Sequence, residues 1–170
     1  KDGALTENEP FPAGFLEGTA ELTVSYSAGK GFALNGKEFT SLYEGAFEVL
    51  PGNTYIALHV FTGSGAAAGV EITSVTESGR KADLGNWTNY AGEAGVITSD
   101  SVKLSGVNLA DATIVSAALS YDDLSVTLKV TGDASNLTKF SIQYGTAGSL
   151  YYANFQTSGD VQGIYISGAI

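Results

Sequence analysis

Along most of this chain the apolar residues recur at every second position, and that spacing leaves β-strand as the main option. Ala20, Leu22, Val24 and Tyr26 alternate with Glu21, Thr23 and Ser25, which puts the apolar set on one face of an extended segment. The runs Gly31 to Leu34 and Lys37 to Leu42 flank Asn35-Gly36. An Asn-Gly pair between two such runs predicts a type I′ hairpin, because both central residues need positive φ. Residues 46–50 form a short apolar run closed by Pro51-Gly52, and residues 53–62 are apolar on both faces, as a central strand would be. Gly63 to Gly69 reads as a flexible connector, after which Val70, Ile72 and Val75 begin another strand. Further strands are expected over 96–104, 112–120, 124–131, 138–144, 149–156 and 161–167, with turns at Asp122-Asp123 and Thr131-Gly132-Asp133. A short helix fits only 105–112 or the aperiodic stretch 79–95, and a loop as long as the latter is usually functional or mobile.

Closely spaced strands with almost no helical period predict an all-β fold, an antiparallel β-sandwich of jelly-roll type. One domain over 19–170 is favoured, because neither half of the chain would bury much core alone. Residues 1–18 read as an extended N-terminal arm, with two prolines but also Leu5, Phe11, Phe15 and Leu16. A free arm of that kind would expose apolar surface. It is satisfied by packing on its own domain, or by inserting as a strand into a neighbour's sheet, where these four side chains would be subunit contacts. The uncharged run from Val161 to Ile170 is the other candidate for strand donation, or is an ordinary last strand.

Composition removes several classes of function. Eight bases face eighteen acids, a net charge of −10, so the basic stripe that binds a phosphate backbone is missing and a nucleic-acid partner is not expected. With no cysteine and one histidine, there is no thiolate site, no disulfide and no multi-histidine metal site. No apolar run approaches the roughly 18 residues of a membrane-spanning helix. His59, inside Ile56-Ala57-Leu58-His59-Val60, has no local partner for catalysis and reads as a structural strand residue. The glycine-rich run at 63–69 lacks the Gly-Lys-Ser/Thr ending of a phosphate loop and precedes a strand, not a helix. Eighteen acids do not exclude a pair of glycosidase carboxylates, but the small chain argues against such a cleft, and the expectation is of a non-enzyme. The low-charge, β-rich composition, with neither methionine nor cysteine, and a start at Lys1 that a removed signal peptide would explain, suggest a secreted or cell-surface protein.

Three groups of residues are candidates for binding. Loop carboxylates with backbone carbonyls are what Ca²⁺ prefers; the candidates are Asp122, Asp123, Asp100, Asp133, Glu77, Asp83, Glu93, Asp2, Glu7 and Glu9. No EF-hand spacing is present, and the plain alternative is a solvated acidic surface. Calcium held between subunits would couple assembly to the metal. Trp87, Tyr90, Tyr151 and Tyr152 are candidate platforms for sugar rings, against the alternative of core or subunit-contact aromatics. Asn86-Trp87-Thr88 and Asn136-Leu137-Thr138 match the glycan acceptor triplet, a pattern that also arises by chance.

Phe47-Glu48-Val49-Leu50-Pro51-Gly52-Asn53-Thr54-Tyr55, Leu58-His59-Val60-Phe61-Thr62-Gly63-Ser64-Gly65 and Val70-Glu71-Ile72-Thr73, with the earlier Phe15-Leu16-Glu17-Gly18-Thr19-Ala20-Glu21-Leu22-Thr23-Val24, resemble the opening half of the TasA/camelysin-like secreted proteins. Archaeal filament and cannula-type tubule subunits are similar in kind. The resemblance covers roughly residues 15–75 and departs at Thr62-Gly63-Ser64-Gly65, where an Asn-x-Gly is usual. It implies a jelly roll that builds extracellular biofilm fibres, joined by donor-strand complementation with calcium taking part. No metalloprotease motif supports the protease label that some relatives carry. The expected function is therefore a self-assembling subunit of an extracellular filament, pilus or tubule. The alternative is a carbohydrate-binding or adhesive surface module.

Overall fold

The computed structural model describes residues 10–27, 31–38, 55–63, 67–92, 95–109, 112–117, 123–146, 149–157 and 163–168. The strands are β1 (Leu22–Ser27), β2 (Gly31–Leu34), β3 (Lys37–Glu38), β4 (Tyr55–Thr62), β5 (Ala68–Glu77), β6 (Arg80–Lys81), β7 (Thr88–Ala91), β8 (Gly95–Ile97), β9 (Val102–Gly106), β10 (Ala112–Val115), β11 (Asp123–Gly132), β12 (Leu137–Thr146), β13 (Ser149–Gln156) and β14 (Gly163–Gly168). Among the described residues they make two antiparallel sheets. The eight-stranded sheet runs β3-β2-β1-β11-β5-β9-β8, with β6 also paired to β5; the six-stranded sheet runs β14-β13-β12-β4-β10-β7. The all-β expectation holds at this level. No helix among the described residues is long and apolar enough to cross a membrane.

Alternation places the core. Leu22, Val24 and Tyr26 of β1, Leu124, Val126, Leu128 and Val130 of β11, and Val102 and Leu104 of β9 are buried from one sheet. Ile56, Leu58 and Val60 of β4, Phe140 and Ile142 of β12, Ile114 of β10, Phe155 of β13 and Ile164 of β14 join the same cluster from the other. The three-residue step from Ile72 to Val75 breaks the period for a physical reason. Thr127 pairs with Ser74 and Leu128 with Ile72, so Thr73 is an extra residue in a β-bulge, and both apolar neighbours stay inward.

The turns follow their residues. Asn35 and Gly36 have φ of 47° and 85°, as the type I′ hairpin requires, and the Asn35 Oδ1 accepts a hydrogen bond from Thr23 N–H at 2.9 Å. Ser78 and Gly79 repeat this geometry, with φ of 50° and 79°, and join β5 to β6. The stretch 79–95, expected to be an aperiodic loop, therefore holds β6, a 3₁₀ turn at Leu84–Asn86 and β7. The expected strand 96–104 is in fact two, β8 and β9. Between them Thr98 Oγ1 accepts from the backbone N–H of Asp100 and Ser101 at 3.2 and 3.0 Å, and this side-chain-to-backbone bonding turns the chain. Ala68 and Gly69 belong to β5 and not to a connector. Residues 107–109 are non-helical. The apolar run at 46–50 lies outside the described residues.

The described part of the N-terminal arm is a set of turns, not a strand. Gly14, at φ 82°, lets its carbonyl accept from the N–H groups of Thr19 and Ala20 at 2.9 and 3.0 Å. This fold-back drives Phe15 fully into the core. Its ring lies 6.3 Å from Phe140 and 6.4 Å from Phe155, which are themselves stacked at 4.3 Å. Phe11 stacks on Phe15 at 5.6 Å, and Leu16 is partly buried against the same cluster. Phe11, Phe15 and Leu16 thus serve the chain's own core in this conformation. Using Phe15 as a subunit contact would require withdrawing it. Leu5 lies outside the described residues.

Candidate functional site

The expected calcium ligands divide between the two ends of the eight-stranded sheet. Glu77 ends β5, Asp123 begins β11, Asp83 precedes the 3₁₀ turn at Leu84–Asn86, and Asp100 lies in the β8–β9 turn. Leu84 N–H donates to Ser99 O at 3.2 Å, which ties the last two loops together. Glu77 and Asp83 line one cleft of about 210 Å³, shared with Val75, Ala82, Asn86, Trp87, Ser116 and Ala117. Asp83 Oδ1 already accepts from Gly85 N–H at 2.8 Å, and Asp123 Oδ1 accepts from Ser27 Oγ at 2.7 Å.

At the opposite end, Asp133 and Glu17 line an open cleft of about 450 Å³. Asp133 Oδ1 accepts from the Ser135 hydroxyl at 2.8 Å and from its backbone N–H at 3.0 Å. Those two bonds favour the charged form and hold the carboxyl below its ordinary 3.8. Among the described residues no three acidic or histidine side chains converge on one point. Asp122, Glu93, Asp2, Glu7 and Glu9 lie outside them.

The aromatic candidates separate as well. Trp87 is only 4% exposed, so its ring faces are spent on the core and do not form an open sugar platform. That corrects the reading from its loop position: the 3₁₀ turn points the indole inward beside Leu84, which is also buried. Tyr90, by contrast, is 80% exposed, on the strand whose pairing with β10 is irregular. Tyr151 and Tyr152 lie in β13, opposite Tyr144 and Gln143. Of the two glycan triplets, Asn86 is exposed. Asn136 is half-buried, its carbonyl accepts from Gly63 N–H at 2.8 Å, and the Thr138 hydroxyl is turned to Phe61 O at 3.2 Å.

His59 is a half-buried strand residue, its ring centroid 4.9 Å from that of Phe61 and its Nδ1 3.2 Å from Gln143 Nε2.

The feature that residue-by-residue reading missed is an edge. Among the described residues β14 has a neighbour on one side only, β13, in register from Gln156–Gly163 to Tyr151–Gly168. Every second residue of such a strand directs its N–H and C=O away from its partner. The other edges are blunted: β3 is the charged pair Lys37-Glu38, β8 has three residues, and β7 has four. β14 has six residues, with neither charge nor proline, the kind of edge that invites pairing with another chain. Sequence gave the signal, an uncharged alternating run, but not its position in the sheet.

No family model, curated protein or solved structure matches this chain.

Proposed function

We propose that this chain is a non-catalytic structural subunit, secreted to the cell surface, that assembles into a filament, pilus or tubule by strand addition. The observation that carries this reading is the edge of β14, uncharged and, among the described residues, paired on one side only. A strand from a neighbouring copy would continue the six-stranded sheet there through main-chain hydrogen bonds, with side-chain pockets setting the register. A head-to-tail contact of this kind does not close on itself and so propagates. The packing of Phe15 moves the donor away from residues 10–18, leaving residues 1–9 as the segment to test. We read the fold as a jelly roll. Its support is the order β1-β11-β5-β9 in one sheet against β4-β10-β7 in the other, with the chain changing sheets between β3 and β4, β4 and β5, β6 and β7, β7 and β8, β9 and β10, β10 and β11, and β11 and β12. The resemblance to TasA/camelysin-like proteins points the same way.

Calcium enters this proposal as a bridge between subunits, drawing on Glu77, Asp83, Asp100 and Asp123 at one end and Asp133 at the other. A carbohydrate-binding surface module remains the second reading, and what favours it is the exposure of Tyr90.

The test is electron microscopy of the purified protein, with calcium and with a chelator, beside the variant Tyr165→Lys/Ser167→Lys, which places charge on the edge. Polymers lost in the variant, with its circular dichroism unchanged, are the expected result. Polymers of normal length from the variant would refute strand addition at β14. Polymers unaffected by chelation would remove calcium from the mechanism.

A further inference from the structure

None of the six strands of the β14-to-β7 sheet contains an aspartate or a glutamate. This holds in a chain with 18 acids and a net charge of −10. The strands of the other sheet carry Glu38, Glu71, Glu77 and Asp123. Alternation turns Tyr55, Ala57, His59 and Phe61 of β4 away from the core, and Lys139 of β12 is exposed. The register extends these positions across the sheet, along Thr113, His59, Ser141, Asn154 and Tyr165, and along Val115, Ala57, Gln143, Tyr152 and Ser167.

The described part of this face is held in place. The Lys139 ammonium lies 4.7 Å above the centre of the Phe61 ring, and Gln143 Nε2 is 3.2 Å from both His59 Nδ1 and Ser141 Oγ. Such contacts fix the side chains before any partner arrives, which reduces the ordering cost of binding.

We infer that the outer face of this six-stranded sheet is the lateral contact between two copies of the chain. The argument is one of charge. Two molecules of net charge −10 repel, and acids brought directly together across a contact oppose association strongly. This sheet lets two copies touch through aromatic, amide and hydroxyl groups with no carboxylate from its strands in between. The inference shares with the proposed function only the premise that the partner is a second copy.

The experiment is sedimentation equilibrium on a donor-blocked protein, Ala4→Lys/Leu5→Lys, which charges the proposed donor segment and leaves the face unaltered, so that only lateral contact is read. On that background Tyr55→Glu/Gln143→Glu adds two acids to the face. Ser25→Glu/Thr131→Glu adds two to the opposite sheet. The expected result is a monomer–dimer equilibrium that the face variant weakens about tenfold or more and the control leaves within about twofold. A strictly monomeric donor-blocked protein, an unchanged face variant, or equal weakening by both variants would each overturn the inference. So would a monomer that instead binds an insoluble neutral polysaccharide in a Tyr55- and Gln143-dependent way. Filaments from the face variant with its donor segment unaltered, single instead of bundled, would support the inference. Filaments bundled as before would refute it while leaving strand addition standing.

Discussion

The N-terminal turns offer the sharpest test of the packing described above. Phe15 is fully buried and meets three other rings, Phe11, Phe140 and Phe155. Truncating a buried phenylalanine to alanine removes its transfer free energy and leaves a cavity, about 3–5 kcal/mol together. The aromatic contacts lie within that range, being worth about 0.5–1.5 kcal/mol per pair. Phe15→Ala should therefore destabilise the domain by about 4 kcal/mol, which for a chain of this size lowers Tm by about 8–16 °C. Urea denaturation followed by tyrosine and tryptophan fluorescence reads the midpoint directly. A truncation sharpens the result: removing residues 1–16 deletes Phe11, Phe15 and Leu16 and should cost at least as much as Phe15→Ala. If Phe15→Ala costs less than about 1 kcal/mol, near the range of surface substitutions, the turn does not plug the core and the strand-donor role of residues 10–18 returns.

Other expectations concern separate parts of the molecule. Gly69 of β5 sits opposite Ser105 of β9, and a Cβ there would collide with Ser105 and the Leu104 carbonyl. Gly69→Ala should cost about 1–3 kcal/mol or more by forcing the strands apart, measurable as a lower urea midpoint, while Gly36→Ala, in open space, should show only its positive-φ strain of about 1–2 kcal/mol. Trp87→Ala should destabilise by about 3–5 kcal/mol, and Tyr90→Ala by about 0.5 kcal/mol or less; the reverse order in thermal melts would contradict the inward placement of the indole. Because the Asp133 carboxyl is held below 3.8, its contribution is present above that value and is lost as pH falls through the lower, folded value. Asp133→Asn should therefore differ from the parent at neutral pH and converge with it in strong acid, as followed by denaturation at a series of pH values.

The assembly proposal and the lateral-contact inference place different demands on the same sheet. Strand addition uses a donor segment and main-chain groups along one edge, so charge at Ala4 and Leu5 of the proposed donor should block it without altering the face. Lateral pairing uses side chains across the strands, so acids at Tyr55 and Gln143 should act without altering the edge. The acidic loops are left at the ends of the eight-stranded sheet, where solvent screens them over about 10 Å at moderate salt.

Local chemistry alone determined a good deal of this protein. Alternation of Leu22, Val24 and Tyr26 fixes a strand whatever its neighbours, because side chains of an extended chain must point to opposite faces. Asn35-Gly36 fixes a hairpin because few other residue pairs accept positive φ twice in succession. The acid excess, the missing cysteines and the all-β class are properties of the same kind, readable one segment at a time.

What tertiary structure decided is partnership. β1 pairs with β11 across a hundred residues, down to the Thr23–Thr127 hydroxyl contact at 2.9 Å, and no local pattern encodes that choice. Phe15 and Trp87 look alike in sequence, aromatics in irregular segments, and only the available core space sends both inward. Tyr90, three residues beyond Trp87, stays in solvent because it lies on β7, the end strand of its sheet among the described residues, where Thr88 and Asn89 are exposed as well. The edge that β14 forms among the described residues, and the acid-free strands beside it, exist only once the strands have an order, since an edge is defined by having a neighbour on one side alone. Strand identity follows from short-range sterics and burial, whereas sheet order follows from which arrangement of all the strands buries the whole apolar set at once.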